Sequence, residues 1–474
     1  MTSTAQGTAA PAALDRYFKL SERGTTVTRE VRGGFATFFT MAYIVVLNPI
    51  ILAGAKDKYG HTLSVPQLAA STALAAAVMT AVMGLAGNLP LAIAAGLGLN
   101  GVVAFTLAPT MSWPDAMGLV VIEGLLICVL VATGLRTAIF GAIPLPLKRA
   151  ISVGIGLFIA FIGLVDSGFV TPAQGTPVQL GTAGTLKGWP VFVFCVGLLL
   201  TVVLVVRQIK GAILIGIVST TVLAVILHAS GVKDGWGLIT PKKPDKIADT
   251  PDLHLLGKFS LHGGFQQAGI ITAIVFVFTL VLSDFFDAMG TITGISAEAG
   301  LLNENGEVPK IGTVLFVDGL AAVAGGAASS SSNTAFIESA AGVGEGARTG
   351  LANLVTSALF VLALFLTPLY EVVPQQAAAP ALVVVGFLML VQVKDIPWDD
   401  WEISVPAFLT IVLMPFTYSI TNGIGAGLIS FVLIKAARGK AAAVNILVWI
   451  ISALFLVYFL LDPIEQVLNA GPYR

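Results

Sequence analysis

Trp189 to Val206, Gly211 to Leu227 and Val444 to Leu461 are uncharged, predominantly apolar runs, each about the length a helix needs to cross ~30 Å of hydrocarbon. In that solvent every backbone N–H and C=O must find its partner within the chain, which leaves only helices and closed barrels. A barrel strand needs about ten residues of alternating polarity, whereas these runs are apolar on every face. The chain therefore reads as an all-α integral membrane protein with a lipid bilayer as its first partner. Composition fits: 56% of the 474 residues are hydrophobic and 11% charged, with a mean hydropathy of +0.92, against about 25% charged in soluble domains.

Seven apolar segments lie at roughly 33–54, 67–88, 90–108, 115–135, 149–165, 189–206 and 211–228. Seven more lie at roughly 268–290, 311–327, 333–346, 350–368, 378–393, 403–420 and 422–435. The polar stretch 229–265 between the sets, rich in Lys, Asp and Pro, reads as the one long external loop. Val444 to Leu461 is a fifteenth stretch, and spanning, re-entry and replacement of a neighbour are all open to it. The first dozen residues, ending in Ala-Pro-Ala-Ala, form a tail without the basic start and apolar core of a signal peptide.

Arg23, Arg29 and Arg32 precede the first segment; Arg136, Lys148 and Arg149 separate the fourth and fifth; Arg207 and Lys210 separate the sixth and seventh. Arg348, Lys394, Lys435, Arg438 and Lys440 obey the same parity, so the N-terminus is expected in the cytoplasm. Lys242, Lys243, Lys246 and Lys258 lie in the loop on the opposite side, where long loops translocate regardless of charge. An odd number of segments per set makes any likeness between halves an inverted repeat. Such a likeness is visible in the third segment of each half: Gly96-Leu-Gly-Leu-Asn100-Gly101, and Gly325-Gly326 followed by four serines, Asn333 and Glu338. Short, Gly-interrupted segments at matching positions point to a transporter's substrate site.

Three acids, Asp284, Asp287 and Glu338, stand in this apolar sequence. Each costs about 2 to 4 kcal/mol at membrane depth and marks a cavity, an ion path or a partner. Asp284 and Asp287, i and i+3 on one helix, are expected to continue through Thr291 and Gly294 as a single polar stripe along a cavity. The serine run is expected to cap a half-helix beginning near Thr334, meeting the half-helix opened by Gly101 from the other side. Between them Asp284 and Glu338 would accept hydrogen bonds from a small, flat ligand rich in N–H donors, a description that purine and pyrimidine bases match. Phe38, Phe39, Phe285, Phe286 and Phe336 are available for stacking. Any of the three acids can also carry a proton. Glu123, mid-helix, is a further support or bundle contact, and Asp166 and Asp318 read as helix-end or inter-helix contacts.

Other chemistries find no footing. Cys128 and Cys195 lie in apolar helices as packing residues. His61, His228, His254 and His262 share no metal-ligand spacing, and a net charge of −1 offers no basic face for nucleic acid. No nucleophile and base accompany the acids, which sets aside a membrane-embedded hydrolase. No cofactor other than a coupling proton is implied.

Phe-Phe-Thr-Met-Ala-Tyr-Ile-Val-Val-Leu-Asn-Pro at 38–49, Gly-Leu-Gly-Leu-Asn-Gly at 96–101, Asp-Phe-Phe-Asp-Ala-Met-Gly-Thr at 284–291 and Ala-Phe-Ile-Glu-Ser-Ala-Ala-Gly-Val at 335–343 resemble the AzgA-like hypoxanthine, adenine and guanine permeases of the nucleobase cation symporter family. The resemblance runs from about residue 15 to the C-terminus. It implies fourteen transmembrane segments in two inverted repeats of seven. A core domain would take segments 1–4 (31–136) and 8–11 (266–368), a gate domain segments 5–7 (147–228) and 12–14 with the extra stretch (376–461), with a cytoplasmic tail at 1–30 and the external loop at 229–265. It also implies proton-coupled import of purine bases across the cell membrane by a homodimer joined through its gate domains. Asp284 and Glu338 match the family's substrate-binding acids, Asn100 a supporting asparagine, and Phe336 and Ile337 positions whose backbone faces the base. Asp287 matches the second acid of the eighth segment, and with Glu123 is assigned to proton coupling or support. Gly101 and Ala288-Met289 depart from the family pattern and bear on which purine is preferred. An anion permease of the same architecture is the competing reading, which three acids oppose.

Overall fold

The computed structural model describes residues 12–134, 143–173, 175–233, 235–237, 239–244, 246–304 and 308–460, with the Phe286 side chain outside that description. Arg136, Leu461 and residues 1–11 of the N-terminal tail likewise lie outside the described residues. Ten helices are long and apolar enough to cross a membrane, and four shorter apolar ones accompany them, among the described residues.

In chain order, α1 (Ala12–Phe18) precedes α2 (Val27–Met41) and α3 (Ile44–Gly54), which together make the first crossing. Then come α4 (Val65–Val82), β1 (Ile93–Ala95), α5 (Leu97–Val102), α6 (Trp113–Ala132), α7 (Leu145–Asp166), the hairpin β2 (Val170–Thr171) and β3 (Gln179–Leu180), α8 (Trp189–Val206) and α9 (Ala212–Ala229). The second half holds α10 (Gly263–Ala268), α11 (Ile270–Glu298), α12 (Ile311–Ala327), β4 (Asn333–Ala335), α13 (Ser339–Gly344), α14 (Leu351–Ala363), α15 (Thr367–Tyr370), α16 (Gln375–Leu390), α17 (Trp401–Phe416), α18 (Ile420–Ala437) and α19 (Ile446–Phe459). The fifteenth apolar stretch is thus a helix of 14 described residues. At ~1.5 Å per residue it reaches about 21 Å, short of a full crossing, and it packs on α11 and α18.

The helices divide into two packed groups. In the core, α2 lies against α13 and α14, α4 against α3 and α14, and α6 against α11 and α12; in the gate, α7 lies against α16 and α17, α8 against α9 and α16, and α17 against α18. The loop from 229 onward closes over one end of the core: Asp249 N–H donates to Phe365 O (2.9 Å), Gly257 N–H to Ala327 O (2.8 Å), Ser260 N–H to Pro114 O (2.8 Å), and Gln67 Nε2 to Asp252 Oδ2 (2.8 Å). On the other end, Glu345 pairs with Arg32 (2.6 Å) and with Lys210, and Arg149 donates to Asp395 O (2.8 Å). These contacts collect the basic loops on one face, here termed the basic face.

Segment 10 differs from expectation. No half-helix begins at Thr334; residues 333–335 form β4, which pairs antiparallel with β1 in the register Ile93↔Ala335, Ala94↔Thr334 and Ala95↔Asn333. The serine run turns the chain into it, with Ser329 and Ser331 in the left-handed region at φ 54° and 70°, a strained backbone that surrounding contacts must hold. The ladder is completed by Gly96 N–H to Ser332 O and Phe336 N–H to Ala92 O, both 2.9 Å. The pairing explains why irregular backbone survives here: each strand satisfies the other. The half-helix α13 is only six residues, whereas the helix begun by α5 runs on in wider and tighter turns to Thr110. Antiparallel pairing of equivalent strands is what two inverted repeats require. Aligning β1 with β4 sets Glu338 against Gly98 rather than against Asn100, the partner expected from spacing.

Glu30 fastens α2 to the start of α14. It is fully buried, and its carboxylate accepts from Arg348 N–H (2.8 Å), Thr349 N–H (3.3 Å) and Ala352 N–H (3.2 Å). Glu30→Ala strands these donors, so the detergent-solubilised protein should lose about 2–4 kcal/mol of stability. An unchanged thermal melting midpoint would show that the clasp contributes nothing.

Candidate functional site

α11 passes the strand crossing with acids on two sides. Positions i and i+3 stand about 60° apart around a helix, enough at a junction of several helices to send them to different neighbours. Asp284 is fully buried and turned into the core, where it interacts with Asp318 of α12 and Glu123 of α6. Asp287 is partly exposed and interacts with Glu338. The single stripe expected through both aspartates therefore divides, and the acid brought to Glu338 is Asp287 rather than Asp284.

Glu338 opens α13. Its carboxylate accepts from the buried Tyr43 hydroxyl, and its carbonyl accepts from Thr40 Oγ1 (3.3 Å). Ile337 beside it is 54% exposed, whereas Phe336 is buried with its N–H committed to Ala92. Asn100 is fully buried; its Nδ2 donates to Asn48 Oδ1 (2.9 Å), while its Oδ1 has no partner. Asn48 in turn donates to Thr72 Oγ1 (2.8 Å) and Ser330 O (3.0 Å), tying α3, α4, α5 and the serine turn together. Tyr43 and Asn48 lie in the 38–49 motif that carries the family resemblance, but the sequence reading gave neither a role at the site. A hydroxyl and an amide inside an apolar helix were the available signal.

The inner acids hold segment 10. Glu123 accepts from Ser332 Oγ (3.1 Å), and Asp318, in the middle of α12 rather than at its end, accepts from Thr334 Oγ1 (3.3 Å) and Ala335 N–H (3.1 Å). The Thr334 hydroxyl also interacts with the Asp284 carboxyl. Asp166 is the last residue of α7. No group of three His, Cys, Asp or Glu residues is placed to hold a metal ion among the described residues.

A narrow cleft of about 20 Å³, room for little more than one water, separates core from gate, lined by Gly98 and Leu99 of α5, Ser283 and Asp287 of α11, Ile151, Ser152 and Ile155 of α7, and Met389 of α16. It lies toward the basic face, since Ser152 follows Lys148 and Arg149 by less than a turn or so and receives a hydrogen bond from Gln392 (3.2 Å), close to Lys394. One acid and no base line it. Of the phenylalanines considered for stacking, Phe286 lies outside the described side chains, Phe38 packs edge-on to Phe360 and Phe39 (5.1 and 5.5 Å), Phe285 is buried, and none of the described ones lines the cleft.

Residues 28–426 match the family model described as the Permease family, that of xanthine and uracil permeases. The chain is 38% identical to the guanine/hypoxanthine permease PbuG of Bacillus subtilis over 454 residues, covering 94% of this chain and 99% of that one. It is 36% identical to the adenine permease AdeQ of Escherichia coli K12, covering 94% and 96%. Among solved structures, the transmembrane domain of the cyanobacterial bicarbonate transporter BicA matches with a TM-score of 0.58 at 15% identity over 84% of this chain and 97% of that one. SLC26A9 matches with a TM-score of 0.59 at 13% identity over 90% and 67%.

Proposed function

The chain belongs to the xanthine/uracil permease family, and from that premise we propose that it carries purine nucleobases through the cell membrane, coupled to protons, by movement of the core against the gate. The observation that carries this reading is the cleft between them, with Asp287 on its wall and no basic residue lining it. A purine presents N–H donors along its edge, and a carboxylate held by a protein scaffold accepts from them with charge-assisted strength. In this reading Asp287 and Glu338 hold the base, Tyr43 orients Glu338, and Asn100 is itself held by Asn48. Ile337 and the backbone beside Phe336 border the base. Asp284 and Glu123, turned away into the core, serve proton coupling. The basic face is cytoplasmic, and the gate helices α7–α9 and α16–α19 join two copies.

Guanine, hypoxanthine and adenine are the candidates, because relatives named for all three are similar over nearly the whole chain. An anion permease would meet carboxylates where it needs donors and positive charge, which disfavours that reading despite the fold. The deciding experiment is uptake of radiolabelled hypoxanthine into proteoliposomes, competed by unlabelled bases and by sulfate at two external pH values. Competition by purines, with faster accumulation at the lower external pH, is expected. Competition by sulfate alone would overturn the proposal.

A further inference from the structure

Buried hydroxyls on helices commonly satisfy themselves by donating to the carbonyl four residues back, and this molecule uses the device repeatedly. Thr201 donates to Gly197 O (2.7 Å), Thr220 to Gly216 O (2.7 Å), Thr221 to Ile217 O (2.7 Å) and Thr410 to Pro406 O (2.9 Å). Two hydroxyls on α11 do not. Thr279 is fully buried and Ser283 is 3% exposed, and neither hydroxyl has a partner. Each unmet buried polar group in a native protein calls for an explanation, the more so where no bulk water can reach it.

Their positions supply one. Thr279, Ser283 and Asp287 are i, i+4 and i+8 on one helix, so they follow one another along a single face. Ser283 and Asp287 already line the cleft. Thr279 is the next position along that face, one turn further from the basic face, and does not itself line the cleft. Across from Ser283, the gate contributes Ser152, held by Gln392.

We infer that Thr279, Ser283 and Asp287 form a hydrogen-bonding track on the core: Ser283 touches the substrate when the gate opens toward the basic face, and Thr279 receives it when the gate opens toward the opposite face. The ligand is a small planar molecule whose edge both donates and accepts, since a hydroxyl does both. This rests on the nucleobase reading above and adds to it two contact residues and a direction of travel.

The test uses full-length protein in proteoliposomes, in a Cys128→Ala, Cys195→Ala background, with a membrane-impermeant maleimide applied to one face at a time. Ser283→Cys should be labelled from the basic face and Thr279→Cys from the opposite face, and hypoxanthine should slow both at least fivefold. In parallel, Ser283→Ala should raise the KM for hypoxanthine about tenfold with little change in maximal rate, as expected for one lost hydrogen bond of about 1.4 kcal/mol. Thr279→Val should cut uptake about tenfold, with Thr279→Ser restoring it. Thr279→Cys inert from both faces, together with Thr279→Val at wild-type uptake, would reduce these hydroxyls to packing. Absence of hypoxanthine uptake by the unmodified protein would defeat the nucleobase reading instead, and the sidedness of labelling would still decide the track.

Discussion

Glu338→Gln and Asp287→Asn should each lower hypoxanthine uptake by at least about 100-fold while the protein still elutes as a folded species in detergent. Both substitutions keep side-chain volume and remove the negative charge. A charge-assisted hydrogen bond is worth roughly 1.5–3 kcal/mol, and about 2.7 kcal/mol corresponds to two orders of magnitude. Tyr43→Phe should give a smaller loss of about tenfold, because it frees the Glu338 carboxylate without discharging it. Asp284→Asn should behave differently: it faces Asp318 and Glu123 rather than the cleft. Equilibrium binding should survive while accumulation against a gradient fails. Binding by the Asp287→Asn protein at wild-type affinity, with loss of binding on Asp284→Asn, would reverse the assignment of the two aspartates.

Gly98→Ala should abolish most transport with little loss of fold. A methyl there would stand 2.7 Å from Ile155 Cγ2, closer than packed carbons tolerate, and Ile155 belongs to the gate helix that slides past α5 in the proposed movement. The core keeps its own contacts, so the melting midpoint should hold while uptake falls at least about tenfold, a barrier increase near 1.4 kcal/mol. Ile155→Ala removes the opposing methyl and should recover much of the rate in the double variant. Failure of that rescue would place the requirement for glycine in the backbone of α5 rather than at the core–gate contact.

The positions of most segments were legible because each depends on a run of apolar residues, a local property. The ends of segments 2, 6, 7 and 9 fall within a few residues of the helices observed. β4 was not legible: Ser-Ser-Asn-Thr-Ala has the composition of a helix cap, and only pairing with a strand from the other half makes it extended. The acids were legible as a group, since ionisable residues in apolar sequence stand out. Their division was not. Spacing of i, i+3 permits one face or two, and the choice depends on Glu123 and Asp318, which approach α11 from helices distant in sequence. Ser283 and Thr279 were overlooked because serine and threonine in membrane helices ordinarily bond to their own backbone. The missing bond, which they share with Thr106, Thr421 and Ser452, marks them only together with their alignment with Asp287 on one face of α11.

The β1–β4 ladder also fixes an order of biosynthesis. The first half leaves the ribosome with Ile93 already bonded to Thr80 but with the groups in and beside β1 that face β4, among them the Ala92 C=O and the Gly96 N–H, lacking their partners, a state that lipid penalises, and the partner strand is made only after the long 229–265 loop and the helices α11 and α12. The third segment must therefore wait, shielded by the insertion machinery or by water, until the second half arrives. A chain severed within that loop should yield neither half as a stable membrane protein when made alone, and a working carrier when both halves are made in one cell.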